Sequence, residues 1–145
     1  MGAMPFGLKI AIINRALRKR MDEKASAMGL TCVQLRVLGS ISRLEAAGAA
    51  EIHQNDLEQI ERVTHPAMTK LLNRLESKGF IRCVPGAKDR RYKCVVSTEK
   101  SAGIHELILK QDREAFLELC ANLTQDQQNA FAQLTDLVLQ NIGPE

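Results

Sequence analysis

The chain has 145 residues, which is room for one domain or for a small domain with long helical extensions, and its 45% hydrophobic content excludes a disordered protein. Aromatic residues make up only 3% of the chain, so leucine, isoleucine, alanine and methionine must fill the core, and this composition favours helices over sheets. No apolar run reaches the roughly 18 residues that cross a bilayer and no signal-peptide pattern is visible, so we predict a cytoplasmic protein without a membrane partner, whose four cysteines stay reduced.

The first predicted element is a helix over residues 5–28. Its apolar residues recur at alternating steps of four and three, which places them in one stripe along the helix. They are Phe6, Ile10, Ile13, Leu17 and Met21. After Gly29, the sequence T-C-V-Q at residues 31–34 is typical of a capping box that opens a second helix. The residues expected to face inward on this second helix are Val33, Val37, Leu38, Ile41 and Leu44.

A short third helix is predicted at residues 53–61, and a tight turn at Val63 and Thr64 leads into a fourth helix that ends at Lys78 and Gly79. Thr64 is the expected N-cap, and a proline in the first turn is compatible with a helix there. The residues expected on the inner face are Met68, Leu71, Leu72 and Leu75. The residues expected to point outward are His65, Thr69, Lys70, Asn73 and Arg74.

Two β-prone runs, residues 80–84 and 92–97, flank a strongly basic loop at residues 85–91 and predict a hairpin. The helical pattern then returns, and a second capping box at residues 124–127 opens a last helix. Its expected inner residues are Phe131, Leu134, Leu137, Val138 and Ile142. The span 99–145 has a net charge of −5, from eight acids and three bases, and is a poor candidate for contact with DNA.

The segment from Arg62 to Lys93 concentrates positive charge. It contains nine lysines or arginines and two acids, a local net charge of +7, whereas the whole chain carries +3, so the remainder sums to −4. A basic segment in an otherwise acidic molecule indicates a surface that binds a polyanion, because each cation near a phosphate releases a condensed counterion. The helices on either side of the tight turn form a helix-turn-helix, and the hairpin is its wing. The predicted fold class is therefore mainly α with a small β-hairpin wing.

Four stretches carry recognisable motifs: L-T-C-V-Q-L-R-V-L at residues 30–38, H-P-A-M-T-K-L-L-N-R-L-E-S-K-G-F-I at residues 65–81, D-R-R at residues 89–91 and V-V-S-T at residues 95–98. Together they resemble the MarR family of winged helix-turn-helix transcriptional regulators. The most specific sign is R-L-E-x-K-G combined with D-x-R ten residues after its glycine. The element order also matches the family along nearly the whole chain.

The resemblance implies an obligate homodimer built from a single chain of residues 1–145. Residues 30–98 would form the winged helix-turn-helix, and residues 5–28 and 99–143 would form the helical dimerisation part. Two winged lobes would then bind a pseudopalindromic operator, most often as a repressor in this family.

The resemblance also assigns roles within each lobe. The fourth helix, Thr64 to Lys78, would be the recognition helix in the major groove. Arg91 would enter the flanking minor groove, with Asp89 positioning it. The chain departs from the family at Cys83, where arginine is common, so one phosphate contact or salt bridge is missing. It also departs at His53, where a hydroxyl N-cap is common, which predicts a less firm start of the third helix.

Side-chain chemistry agrees with these roles. Lys70 can bind guanine O6 and N7, and Asn73 can pair with adenine. Arg74 and Arg90 suit phosphates, which fix register without reading sequence, and a wing arginine suits a narrow A·T-rich minor groove. His65 either donates to the DNA or is a solvated first-turn residue. The predicted DNA-binding residues are Thr64, His65, Pro66, Thr69, Lys70, Asn73, Arg74, Lys88, Asp89, Arg90 and Arg91.

The family likeness implies that a small anionic or phenolic effector binds between the dimer helices and the winged lobe. Arg15, Arg18 and Arg43 are candidate partners for a carboxylate, although ordinary surface charge is the favoured interpretation of all three. A winged-helix interaction module that has lost operator binding is the alternative outside DNA recognition, and the +7 segment argues against it. No P-loop, nucleophile elbow or paired-carboxylate arrangement favours an enzyme.

A redox-responsive regulator is a second alternative. Cys83 and Cys94 lie on the two predicted wing strands, nearly symmetric about the loop, so a cross-strand contact is conceivable. Nearby Arg82 and Lys93 would lower the pKa of a thiol and so activate it.

A metal-responsive regulator is disfavoured by spacing. His53, His65 and His105 lie far apart in the sequence, and no C-x-x-C or H-x-x-x-H is present. Cys32, Glu106 and His105 could assemble in space, but a structural role for them is favoured. The sequence therefore predicts neither a metal site nor a cofactor.

Overall fold

The computed structural model describes residues 2–143; Met1, Pro144 and Glu145, which belong to the predicted single chain of residues 1–145, lie outside the described residues. Within residues 2–143, six α-helices and one antiparallel hairpin follow one another, which confirms the predicted fold class. The elements are α1 (Phe6–Ser26), α2 (Cys32–Ala46), α3 (Gln54–Glu61), α4 (His65–Ser77), β1 (Ile81–Pro85), β2 (Lys93–Ser97), α5 (Ile104–Leu119) and α6 (Gln125–Ile142), with a single 3-10 turn at Glu99–Ser101 before α5.

Three of the helices begin at threonine caps, as predicted. Thr31 and Thr124 each form a capping box with the glutamine three residues later, and the Thr64 hydroxyl accepts a hydrogen bond in the first turn of α4. His53 supplies no hydroxyl to the start of α3, but its backbone N–H donates to the Asp56 carboxylate at 2.8 Å. The carboxylate in the first turn therefore compensates for the missing cap.

The core is built around α2, which packs against α1, α3, α4 and α5. The predicted inner residues Val37, Leu38 and Ile41 are fully buried, whereas Val33 and Leu44 are only half-buried. The sequence missed Leu35, which is also fully buried. The largest buried side chains elsewhere in the core are Leu57, Met68, Leu75 and Ile81.

The apolar faces of α1 and α6 are not covered within one chain. On α1, Phe6 is 77% exposed and only the C-terminal half packs firmly, where Ala25 is fully buried. On α6, Leu134 is 58% and Ile142 63% exposed, so the prediction that this face lies inward is wrong for the single chain. Two large apolar faces on the terminal helices are typical of a protein-protein interface. No helix in the described range 2–143 combines the length and apolarity of a membrane span.

The wing sheet gains a short third segment from the chain just before α3. The Val95 N–H donates to the Ile52 carbonyl at 2.8 Å, and His53 forms an isolated bridge with Cys94. This pairing attaches β2 to the segment between α2 and α3, so the wing and the helix-turn-helix share a backbone connection.

The register of the hairpin separates the two wing cysteines. Cys83 lies opposite Val95, and Cys94 lies opposite Val84. Because directly opposed residues share a face and neighbours along a strand do not, Cys83 and Cys94 project from opposite faces of the hairpin. The predicted cross-strand contact between them is therefore wrong.

Candidate nucleic-acid interface

The turn between α3 and α4 fixes the angle between the two helices. Arg62 ends α3 in the left-handed conformation, with φ of 53°, and so redirects the chain. The side-chain amide of Gln54 then reaches from α3 to α4, where it donates to the Thr69 hydroxyl at 2.8 Å and to the His65 carbonyl at 3.2 Å. Glu58 Oε1 lies 2.6 Å from His65 Nδ1. These contacts join the two helices into one rigid unit.

The exposed side of α4 carries free polar groups. Lys70, Asn73 and Arg74 are all exposed, as predicted, and their side chains have no hydrogen-bond or ion-pair partner within residues 2–143. The His65 side chain is 74% exposed, with Nδ1 directed at Glu58 and Nε2 left for another partner. Thr69 is half-buried and donates its hydroxyl to the His65 carbonyl at 3.0 Å, so it points outward less than predicted.

Lys78 differs from the other cations of the basic segment. Its ammonium donates to the Gly29 carbonyl at 2.7 Å and to the Gln34 side-chain oxygen at 2.8 Å. It thereby ties the end of α4 to the turn between α1 and α2, and its role is structural. The other eight basic residues of the segment are exposed: Arg62, Lys70, Arg74, Arg82, Lys88, Arg90, Arg91 and Lys93.

The tip of the wing holds Arg91 in a defined orientation. Asp89 accepts from the Arg91 backbone N–H at 3.0 Å, from Nε at 3.2 Å and from Nη2 at 2.9 Å, while the Arg91 side chain stays 86% exposed. The Arg91 guanidinium lowers the pKa of the Asp89 carboxyl, and Asp89 raises the pKa of Arg91, so both groups keep their charge. Lys88 and Arg90 flank the pair and are exposed.

The base of the wing loop is fixed at two points: Gly86 packs closely against the backbone of the loop, and the Glu51 carboxylate binds the next residue. A Cβ at Gly86 would lie 2.6 Å from the Tyr92 carbonyl oxygen and 2.7 Å from that of Asp89, so only glycine fits there. The Ala87 N–H donates to the Glu51 carboxylate at 2.7 Å. This hydrogen bond is the largest cause that lowers the pKa of Glu51.

The sequence missed a cluster of three potential ligands beneath this loop. Glu51 Oε2 lies 3.1 Å from His53 Nε2, and Cys94 Sγ lies 4.0 Å from His53 Nδ1. Glu51 and His53 are two positions apart in the sequence, whereas Cys94 arrives only through the pairing of β2 with the segment before α3. A Glu-x-His pair was the one local signal, and it became informative only once the strand register was known.

The thiols of the wing lack the activation that a redox switch requires. Burial and Glu76 raise the pKa of Cys83, and burial and Glu51 raise the pKa of Cys94. Lys93 lowers the pKa of Cys83, as expected, but burial and Glu76 outweigh it, so the net pKa of both thiols is raised and neither is activated. Together with the register, this removes the basis for a Cys83–Cys94 switch.

A cavity of about 610 Å³ lies between α1, α2 and α5. Arg18 and Arg43, two of the three predicted carboxylate partners, line it, and Arg36 adds a third cation. Arg15 does not line this cavity. Arg36 is held by an ion pair to Glu61 at 2.7 Å, so Arg18 and Arg43 are the cations that remain for a ligand.

A model of the MarR family matches residues 28–91. Over 140 residues the chain is 30% identical to the multiple antibiotic resistance protein MarR of Escherichia coli (strain K12), an alignment that covers 94% of this chain and 92% of that protein. The chain belongs to the MarR family. It is accordingly a winged helix-turn-helix transcriptional regulator that binds DNA, and not an enzyme.

Solved structures of MarR proteins share the fold of this MarR-family chain. The reduced form of MarR from E. coli has a TM-score of 0.77 at 30% identity and covers 96% of this chain and 99% of that chain. A cysteine-to-serine mutant of MarR from E. coli in complex with operator DNA has a TM-score of 0.79 at 31% identity and covers 94% of each chain.

The predicted DNA-contacting residues of this MarR-family chain fall into two groups in the fold. The first group occupies the cap and exposed side of α4 and comprises Thr64, His65, Pro66, Thr69, Lys70, Asn73 and Arg74. The second group occupies the wing loop and comprises Lys88, Asp89, Arg90 and Arg91. The acidic helical region after residue 98 contributes to neither group.

Proposed function

We propose that this MarR-family chain is a repressor that binds a pseudopalindromic operator as a homodimer and is released by a small anionic effector. The observation that carries the proposal is the exposed set of cations on α4 and on the wing. Within residues 2–143 these cations have no competing anionic partner except the Asp89 that orients Arg91. A MarR from E. coli has been solved with operator DNA, which supports this mode of binding.

The side chains of α4 divide between reading and positioning. Lys70 and Asn73 read base edges in the major groove, because both are exposed and carry the donors and acceptors that distinguish guanine and adenine. Arg74 holds a phosphate and fixes the register of the helix. Thr64, His65 and Pro66 lie at the N-terminus of α4, where the backbone N–H groups and the helix dipole favour a phosphate.

The wing supplies the second contact. Arg91 enters the minor groove, and its pairing with Asp89 holds the side chain in one orientation before DNA arrives. Preorganisation of this kind reduces the conformational entropy that binding would otherwise cost. Lys88 and Arg90 contact the phosphates on either side of the groove.

The homodimer is supported by the uncovered apolar faces of α1 and α6. Phe6, Ile10 and Ile13 on α1 are exposed together with most of the apolar face of α6. Contact of these faces with a second copy removes them from water and places two winged lobes about a two-fold axis. For such a dimer the half-site centres lie roughly 10 bp apart.

The effector site is the cavity between α1, α2 and α5. Its volume of about 610 Å³ suits a small molecule, and Arg18 and Arg43 favour an anionic one. Because the cavity lies between a proposed dimerisation helix and the winged lobe, an occupant that prefers one lobe spacing shifts the dimer away from the spacing that fits DNA.

Repression follows when the dimer occupies its operator. A dimer clamped on a promoter excludes other proteins from the same stretch of duplex, and effector binding then restores transcription. Because the partner is DNA, we place the protein in the cytoplasm.

The test is selection of bound sequences from a random DNA pool, followed by gel-shift titration of the best sequence at two salt concentrations. Three proposed phosphate contacts per chain make six per dimer, which predicts a loss of affinity of about 10³-fold between roughly 50 and 200 mM salt. A palindromic consensus with half-sites about one helical turn apart is expected. Absence of any enriched sequence, or binding that does not respond to salt, would contradict the proposal.

A further inference from the structure

Glu51, His53 and Cys94 converge at the base of the wing from two distant parts of the chain. One carboxylate oxygen, one ring nitrogen and the cysteine sulfur all lie within 4.8 Å of one another. The shortest separation is 3.1 Å, between Glu51 Oε2 and His53 Nε2. Within residues 2–143, no other group of three or more such side chains comes this close together.

The three side chains are the ligand types that Zn²⁺ prefers. Thiolate, imidazole and carboxylate bind Zn²⁺ at about 2.0–2.3 Å, which places the donors of a tetrahedral site about 3.3–3.8 Å apart. Closure by roughly 1 Å therefore converts the cluster into a binding site. A deprotonated Cys94 and Glu51 balance the charge of a divalent ion, and neutral His53 adds none, so the partly buried site stays neutral.

Two of the three ligands are already oriented by an outer hydrogen-bond partner. His53 Nδ1 lies 3.4 Å from the Lys93 carbonyl, and a proton on Nδ1 leaves Nε2 as the free ligand atom. The Ala87 N–H binds Glu51 Oε1 at 2.7 Å and leaves Oε2 toward His53. Cys94 is fixed by the strand pairing. Outer hydrogen bonds of this kind are typical of protein metal sites, because they set the orientation and tautomer of the ligands.

The cluster is reachable from solvent. The side chains of Glu51 and His53 are 26% and 35% exposed, whereas Cys94 is 4% exposed. A cavity of about 240 Å³ lined by Glu51, Ala87 and Cys94 adjoins it. An ion can therefore enter from this side, and a water molecule can complete the tetrahedron as the fourth ligand.

We propose that Glu51, His53 and Cys94 bind one Zn²⁺ ion per chain at the base of the wing. The bound ion joins the segment before α3 to β2, and through Glu51 and Ala87 to the wing loop. The alternative is that the same contacts serve only as a hydrogen-bond network that fastens the wing.

Zn²⁺ binding has a consequence for DNA recognition that rests on the proposed function. An ion at the base of the wing restricts movement of the loop that carries Arg91, so loaded protein binds the operator more tightly than metal-free protein. The metal site itself does not depend on this consequence.

The test compares the full-length wild-type chain with Glu51→Gln, His53→Gln and Cys94→Ser, under a non-thiol reductant. Cys83→Ser and His105→Gln are the matched controls, because they remove the same residue types outside the cluster. Co²⁺ titration reports thiolate coordination through its sulfur-to-cobalt charge-transfer absorption, and competition with a chromophoric chelator gives the affinity for Zn²⁺. Loss of an outer-shell partner typically weakens a metal site about 10–100-fold, so loss of a ligand is expected to exceed about 100-fold.

The expected result is one Zn²⁺ per chain and a cobalt–thiolate band that disappears in Cys94→Ser and persists in Cys83→Ser. Equal Zn²⁺ affinity in wild type and in all three ligand variants overturns the proposal, as does a wild-type chain without the band. His53→Gln keeps the test decisive if Cys94→Ser fails to fold, because the His53 side chain is partly exposed. A gel-shift series with and without Zn²⁺ separates the metal site from the proposed function. If the chain binds Zn²⁺ but no operator sequence is found, the proposed function alone is refuted. If the chain binds an operator but not Zn²⁺, the metal site alone is refuted.

Discussion

Arg91 is the wing cation whose position is best defined by its neighbours. Three hydrogen bonds to Asp89 orient it while most of its surface stays in solvent. We expect Arg91→Ala to weaken operator binding by about 1–3 kcal/mol, which is roughly 5- to 140-fold in affinity. Lys110→Ala removes a cation that is also exposed, from the acidic helical region, and serves as the control. Equal losses in gel-shift titrations of the two variants would contradict the wing assignment.

Asp89 offers a pH-dependent readout of the same pair. Because Arg91 lowers the pKa of the Asp89 carboxyl, the ionised form is stabilised in the folded wing. This stabilisation is fully present above the ordinary aspartate pKa of about 3.9 and is lost as the pH falls through the lowered folded value. We expect the NMR titration midpoint of Asp89 to lie below about 3.9 in the wild type and to rise in Arg91→Ala. An unchanged midpoint would show that the pair does not persist in solution.

The roles proposed for Lys70 and Arg74 separate base reading from phosphate binding on a single helix. Lys70→Ala should change which operator sequence is preferred, at about 1–3 kcal/mol for the lost base contact. Arg74→Ala should weaken all sequences to a similar degree and lower the slope of log affinity against log salt by about one for each phosphate lost. Parallel selection from one random pool, with salt titrations of both variants, measures the two effects. Identical sequence preference in wild type and Lys70→Ala would remove Lys70 from the reading set.

At the scale of the elements, two lysines of the basic segment are expected to behave in opposite ways. Lys78→Ala removes two charge-assisted hydrogen bonds, one from the end of α4 to the α1–α2 turn at Gly29 and one to Gln34 in the first turn of α2, and should lower the free energy of unfolding by about 1–2 kcal/mol. Lys70→Ala removes an exposed side chain that has no such partner in the described part of the chain, and its free energy of unfolding should stay within about 0.5 kcal/mol of wild type. Urea denaturation of both variants checks the contrast. A larger loss in Lys70→Ala would mean that the structural and DNA-contacting roles are assigned the wrong way round.

The first residues of three helices could be predicted from the sequence, because a helix cap depends only on residues within one turn. Thr31, Thr64 and Thr124 all cap helices as predicted, since the hydroxyl and the N–H it binds lie within one turn. Features that depend on pairing between distant segments could not be predicted from the sequence. The opposite faces of Cys83 and Cys94 follow from a hairpin register that residue types alone do not determine.

The candidate site was also predicted only in part: residues on one helix were placed correctly, and contacts between distant segments were not. The exposed side of α4 followed from its helical period, so Lys70, Asn73 and Arg74 were placed correctly on the surface. Charge counting could not separate Lys78 from them, because its partners come from the distant α1–α2 turn and the start of α2. The cluster beneath the wing was missed for the same reason, since Cys94 reaches it only through strand pairing.

At the scale of the whole molecule, the winged lobe has a buried core of its own, whereas the apolar faces of α1 and α6 remain exposed. The winged helix-turn-helix buries its own core around α2, with Leu35, Leu38 and Ile41 fully inaccessible. The terminal helices α1 and α6 instead expose apolar faces that no other element within residues 2–143 covers. The wrong prediction for α6 is therefore informative. Its apolar residues recur with helical spacing, as in a core helix, yet they are exposed to solvent, and this combination is typical of a protein-protein interface such as that of a homodimer.

The homodimer can be tested by placing a charge in the exposed apolar face of α6. Leu134→Asp puts a carboxylate where the proposed interface excludes water, whereas Gln133→Asp adds the same charge at a neighbouring, already polar position of the helix. We expect wild type and Gln133→Asp to sediment as dimers at micromolar concentration and Leu134→Asp to sediment as a monomer. Because a monomer places one lobe on one half-site, Leu134→Asp should also bind a full operator no more tightly than an isolated half-site. Unchanged circular dichroism would show that the lobe still folds. A wild-type chain that sediments as a stable monomer would refute the two-fold arrangement on which the pseudopalindromic operator depends.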